Sequence, residues 1–193
     1  MKYTKIPSTT FQQLQLNAGV LLANFVPSTG EVSESDILGA TTGGVSFSAV
    51  PSFLDLGDDI DNCPKNMKEL KKLDTWEVKM SGTYLTVNSK QAKSLIAAAD
   101  VATGDNTKIV PRVDVKPADF ADIWWVGDYS DENGENGGYM AVRMMNALST
   151  GGFQIKSADK AKGQFAFEYT AHFSMDAQET VPFEVYIKAG SEA

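Results

Sequence analysis

The run Phe165-Ala166-Phe167-Glu168-Tyr169-Thr170-Ala171-His172-Phe173 alternates apolar side chains with polar or small ones at a period of two. Successive side chains of an extended chain point to opposite faces, so the run reads as a strand with one face in a core and the other in water. Phe165, Phe167, Tyr169, Ala171 and Phe173 are expected inside, and Glu168, Thr170 and His172 outside. Residues 181–188 repeat the logic after a hairpin-scale connection at Asp176-Ala177-Gln178-Glu179, with Phe183, Val185 and Ile187 inward and Glu184, Tyr186 and Lys188 outward.

Working toward the N-terminus, residues 139–148 fit a strand between flanking glycines, and residues 127–138 form an acidic, turn-rich loop. Residues 120–126, with Ile123, Trp124 and Trp125, and residues 109–115, broken by Pro111, read as further strands. Residues 89–100 are rich in alanine and lack internal Gly or Pro, which predicts a helix with a Ser or Asn cap. In residues 75–87, Trp76, Val78, Met80 and Tyr84 alternate with Glu77, Lys79, Ser81 and Thr83, the signature of a half-buried antiparallel strand.

Residues 52–73 lack strong patterning. Asp55, Asp58, Asp59 and Asp61 come first, and Lys65, Lys68, Lys71 and Lys72 then reverse the sign around Glu69. A connection that long inside a compact domain is usually functional or mobile, so it is expected to be an interaction loop. Residues 38–53 and 11–25 read as two more strands, and residues 1–13 as an extended polar arm. Several strands with turn signals and one helix describe a mainly β fold, an antiparallel sandwich or barrel with one flanking α-helix. A chain of 193 residues fits one domain, with a short tail at 189–193.

Composition narrows the function. Lys plus Arg number 17 against 25 Asp plus Glu, a net charge of −8 with a pI near 4.6. Proteins that hold nucleic acid gain most of their affinity by neutralising phosphates, so a nucleic-acid reader is disfavoured. Mean hydropathy is −0.21 and no apolar stretch approaches the roughly 20 residues of a spanning helix. The N-terminus has no apolar signal region, and synthesis is expected to finish in the cytoplasm. The single cysteine, Cys63, has no internal disulfide partner, and the single histidine, His172, leaves few ligands for zinc.

Chemical motifs are sparse. The dipeptide Gly-Lys is absent, which excludes a P-loop, and the glycines at 39, 43 and 44 lack dinucleotide-binding spacing. Neither acidic loop keeps EF-hand spacing, since the sixth position from Asp128 is Asn133 and the twelfth is Tyr139. Cys63 with His172 would need an orienting third group, and Glu168 with Glu184 would need a substrate cleft between them. Trp124 and Trp125 must face opposite sides of any strand, so one of them could serve a partner or a sugar. Neither a catalytic set nor a metal or cofactor site is expected.

The residues resemble a family when taken in order. Leu16-Asn17-Ala18-Gly19-Val20-Leu21-Leu22, Gly39-Ala40-Thr41-Thr42-Gly43-Gly44-Val45-Ser46-Phe47, Asp55-Leu56-Gly57-Asp58-Asp59-Ile60-Asp61-Asn62 and Lys68-Glu69-Leu70-Lys71 open a collinear series. Pro111-Arg112, Asp122-Ile123-Trp124, Gly127-Asp128-Tyr129, residues 147–153, Lys162-Gly163 and Val181-Pro182-Phe183-Glu184 continue it. Together they resemble the major tail tube proteins of phages and prophages of Gram-positive bacteria with long, non-contractile tails. That resemblance implies a β-sandwich with a flanking helix, in hexameric rings whose sheets join around a lumen and stack through long loops and arms.

It further implies tape-measure, tail terminator and baseplate or distal tail proteins as partners, a place in the virion tail after assembly in the host cytoplasm, and DNA passing the lumen without specific binding. No cofactor and no membrane are implied. The lumen wall is then expected on the polar strand faces, with Glu77, Lys79, Thr83, Glu168, Thr170, Glu184 and Lys188 as candidates, since a negative, hydroxyl-bearing wall repels phosphates. Competing expectations are a glycan-binding sandwich, a hydrolase using Glu168 and Glu184, and another tail or head component.

Overall fold

The structure is a computed structural model and describes residues 5–130 and 137–190. The expected ends of the arm and tail, residues 1–4 and 191–193, and residues 131–136 of the acidic loop lie outside the described residues. In chain order the strands are β1 (Gln15–Leu22), β2 (Thr41–Asp55), β3 (Lys71–Tyr84), β4 (Ala99–Ala102), β5 (Asp105–Pro111), β6 (Ala121–Tyr129), β7 (Gly138–Ser149), β8 (Phe165–Thr170) and β9 (Phe183–Lys188). Among the described residues one α-helix, α1 (Ser89–Ile96), follows β3.

The fold is mainly β and every ladder is antiparallel. Strand β7 joins its two halves. Residues 139–144 of β7 lie between β6 and β9, while Leu148 and Ser149 pair with β8. Between these stretches Asn146 takes a left-handed φ of 49°, which breaks the ladder and lets the sheet curl. One half, β1-β6-β7-β9, thereby faces the other, β2-β3-β8, across a shared core.

That core takes Leu21, Ile123 and Met144 from the first half, and Val78, Met80, Tyr84, Phe165, Phe167 and Tyr169 from the second. The outer face of the first half is covered too. Residues 23–37 run over it, bringing Phe25 against Trp124 and Tyr139, whose hydroxyl donates to the Pro27 carbonyl. Strands covered on both sides lose their polar alternation, which is why Ile123, Trp124, Trp125 and Val126 follow one another without a break. The β2-β3-β8 half keeps a clean alternation because only one of its faces is covered.

Several expectations need correction. In β8 the ladder ends at Thr170, so Ala171 is still buried but Phe173 is 41% exposed. In β9 only Phe183 reaches the core, against Phe47 and Trp76, and Val185 and Ile187 are exposed because β9 is an edge strand. The helix stops at Ile96, where Ala97 adopts φ 66°, and Ala99 and Asp100 open β4 instead. Asn88 caps it with a reciprocal pair of 2.9 Å bonds to Gln91.

The expected loop at 52–73 is shorter, because the β2–β3 ladder runs out to Asp55↔Lys71 and leaves residues 56–70 as its end. Likewise β6 continues through Tyr129 and β7 starts at Gly138, so the acidic loop loses both of its ends. Strand β5 starts earlier than expected and pairs with β4 in a separate two-stranded sheet. The weak alternation in residues 11–25 has its cause in a bulge in β1, where Asn17 and Gly19 take positive φ. A Cβ on Gly19 would stand 2.6 Å from the Trp125 indole nitrogen, so glycine is required there.

The small β4–β5 sheet is held by charge. Arg112 donates to both oxygens of Asp119 at 2.6 and 2.7 Å, and to the Asp114 carbonyl at 2.8 Å. The Lys116 N–H and then Arg112 hold the Asp119 carboxyl below the ordinary aspartate value of 3.8. A lowered pKa contributes stability that is present above the unfolded value and lost as pH falls through the folded one. Asp119→Asn is therefore expected to cost about 2 kcal/mol at pH 7 and to flatten the loss of stability below pH 4, measured by urea unfolding across pH. Met80→Ala, at the centre of the core, is expected to cost about 3 kcal/mol in the same assay.

Candidate functional site

Three surfaces are left once the core is accounted for: a projecting hairpin end, a polar sheet face, and open strand edges. The hairpin end is built by the β2–β3 ladder. Beyond Trp76 its apolar residues have no opposing sheet, and Phe53, Leu54, Leu56, Ile60 and Leu73 are all exposed by more than two fifths. Such a group of exposed apolar residues beside charge marks an interaction surface.

Residues 56–70 are nonetheless ordered from within. Asp55 accepts from the N–H groups of Gly57 at 3.1 Å and Asn66 at 2.8 Å, closing the loop at its base. Those two bonds, Asn66 first, hold its carboxyl below the ordinary range. Lys71 donates to the Asn66 side chain at 2.7 Å, and Cys63 lies 3.6 Å from the Met67 sulfur. Asp55 and Lys71, both expected to meet a partner, therefore serve the loop itself. Lys68 lies 3.5 Å from Glu69, whereas Asp58, Asp59, Asp61, Lys65 and Lys72 are exposed and their side chains make no hydrogen bond or ion pair among the described residues.

The polar face belongs to β2-β3-β8. Register places Ser48, Lys79 and Thr170 in one row, Ser46, Ser81 and Glu168 in the next, and Thr42, Thr83 and Ala166 in a third. Thr150 joins them, 2.9 Å from the Thr170 hydroxyl and donating to Glu168 at 3.2 Å. Lys79 pairs with Glu77, which raises its pKa and spends its charge locally. The surface is thus a field of hydroxyls in which the one lysine is paired with a carboxylate. Thr42, Ser46, Ser48 and Thr150 were not singled out from the sequence, although the period-two pattern of β2 carried the signal.

Five of the seven wall candidates, Glu77, Lys79, Thr83, Glu168 and Thr170, share this face. Glu184 and Lys188 do not join them. Glu184 accepts from Arg143 at 3.2 Å and from the Tyr186 hydroxyl at 2.7 Å, on the half that carries the buried cluster of Leu22, Phe25 and Trp124. Arg143 also holds Asp122 at 2.7 Å and lies 5.5 Å from the Trp124 ring. Lys188 lies at the far end of β9, 5.9 Å from the Tyr139 ring.

The catalytic pairings do not assemble. Glu184 is held by Arg143 on the outer side of the wrapped half, while Glu168 meets Thr150 on the polar face of β2-β3-β8, so the two carboxylates occupy different surfaces. Carboxylates that share a glycosidic bond stand within about 10 Å. His172 faces the Asn146 carbonyl at 3.2 Å and the Phe120 ring, far from the hairpin end that holds Cys63. The tryptophans are taken up internally: Trp124 is buried, Trp125 donates to the Ala18 carbonyl at 3.0 Å, and Trp76 packs on Phe183. No group of three or more His, Cys, Asp or Glu capable of holding a metal occurs among the described residues.

If Asp55 is the clasp of the hairpin end, Asp55→Ala should leave the melting temperature nearly unchanged while the Gly57 and Asn66 amides exchange at least about tenfold faster, read by hydrogen exchange with NMR detection. No family model matches the chain, and no curated protein matches it. Among solved structures, a chain of the "virion of native gene transfer agent (GTA) particle" is similar over 89% of this chain and 96% of that one, at 7% identity and a TM-score of 0.41.

Proposed function

We propose that this protein is a non-enzymatic structural subunit of a virion, a tail tube protein that forms hexameric rings stacked into a channel for DNA. The observation that carries the reading is an unfinished sheet. Among the described residues strand β2 pairs only with β3 and so presents an open edge along 15 residues, and β1 and β9 present further edges on the other half of the fold. Open edges of this length invite uncontrolled strand addition unless something closes them. Identical neighbours arranged in a ring close them with the same ladder bonds that hold the monomer together.

The hydroxyl field of β2-β3-β8 suits the inner wall of such a ring. It offers hydrogen-bonding groups that water satisfies, a carboxylate at Glu168, and no free cation in its three rows. Counterion release on phosphate contact, the main source of affinity for DNA, is then unavailable, and a duplex can slide past. The tape-measure, terminator and distal tail proteins would meet the same stacking surfaces at the lumen and the tube ends.

Negative-stain electron microscopy of the purified protein over a concentration series is expected to show rings and then tubes. Particles that stay monomeric at every concentration and salt, or tight retention of duplex DNA, would overturn the proposal. Deleting residues 58–65 joins Gly57 to Asn66 at the loop's base, and is expected to leave the circular dichroism spectrum and melting temperature intact while tubes disappear.

A further inference from the structure

The ladder that carries the hairpin end has a second pole. Strand β3 spans 14 residues, roughly 43 Å, from Lys71 beside residues 56–70 to Tyr84 at the opposite end. There Tyr84 pairs with Phe165, the first residue of β8, so residues 152–164 are delivered to the pole opposite the hairpin end.

These residues form a fixed platform. Lys156 and Gln164 exchange backbone bonds at 2.8 and 2.9 Å, Gln154 donates to the Gly151 carbonyl at 2.8 Å, and the Phe153 ring rests on Phe165. What the platform presents outward is apolar and basic. Phe153 and Ile155 are exposed, and Lys156, Lys160 and Lys162 stand against one acid, Asp159. The three lysines make no ion pair or hydrogen bond through their side chains among the described residues.

The other pole carries the complement. On the outgoing limb of residues 56–70, Leu56 and Ile60 are exposed beside Asp58, Asp59 and Asp61, with no base before Lys65. The outgoing limb thus pairs two exposed apolar side chains with three unpaired acids, and the platform pairs two with three unpaired bases. Complementary charge steers docking and fixes register, and the apolar residues supply buried area once the partner arrives. Contacts between two different patches on identical subunits do not close on themselves and so propagate into a filament.

We infer that the acidic limb at residues 56–61 docks on the basic platform at residues 152–164 of a second copy of this chain, and that this head-to-tail contact sets the direction of stacking. The inference rests on the tube reading and adds the receiving surface to it. The return limb, with Lys65 and Lys68, faces away from the platform in this arrangement, since its lysines would meet those of the partner.

Charge reversal tests it. Either K156E/K160E/K162E or D58K/D59K/D61K alone should raise the concentration needed for tubes by at least about tenfold while leaving rings and the melting temperature unchanged. A chain carrying all six substitutions should recover tubes, because both poles have then changed sign together. In a Cys63→Ser background, Asp61→Cys with Lys160→Cys should give a ladder of covalent oligomers on oxidation of assembled material, visible on a non-reducing gel. Wild-type tubes with unaffected single-pole variants, no recovery in the sixfold variant, or no ladder would overturn the pole pairing alone. Wild-type protein that never assembles would overturn the tube reading and this inference with it.

Discussion

Everything in this molecule depends on β7 bonding to two sheets at once. Its first half is the middle of β6-β7-β9, and its last residues join β8, so the chain cannot satisfy its ladder bonds without bringing the two halves face to face. Once they face, Met144 and Ala147 of β7 join Met80 of β3 and Tyr169 of β8 in one buried cluster, and the aromatic stripe of β8 has something to bury itself against. The left-handed turn at Asn146 is the local cost of serving both ladders.

From that arrangement follows the unequal treatment of the surfaces. The first half is wrapped by residues 23–37 and becomes a slab covered on both sides, which absorbs Trp124, Arg143 and Glu184 into its outer layer. The second half is left bare on its outer face, and its long strands overshoot the core. Overshoot creates the hairpin end at one pole, and the return of β8 creates the basic platform at the other. An unwrapped face, open strand edges and two unlike poles are one geometric consequence of a sheet that curls without closing.

Where one face alone is covered, the sequence could be read directly. The alternation of residues 75–84 and 165–171 named the buried side chains correctly, because water on the outer face enforces polar residues at every second position. The helix was legible in its type, while the choice of Asn88 over Ser as its cap and its end at Ile96, where Ala97 takes a positive φ before β4, came from the structure. Strand β9 misled for the opposite reason. Its alternation is real, but an edge position leaves Val185 and Ile187 beyond the reach of the covering sheet. Of the wall candidates, those on β3 and β8 share a face because period two guarantees it within a ladder, whereas no periodicity relates Glu184 on β9 to Glu168 on β8.

The sequence by itself determined the β architecture, the single helix, the acid-rich turn of residues 55–61 and the absence of familiar catalytic motifs, because each of these is written in local spacing and composition. Only the tertiary structure decided that Asp55 and Lys71 close their own loop, that Trp124 and Trp125 both find partners within the chain, and that an acidic and a basic segment nearly one hundred residues apart occupy opposite ends of one ladder. Those facts depend on which strands pair and in what register, and pairing is a long-range choice made by burial of the shared core, which no short stretch of chain encodes.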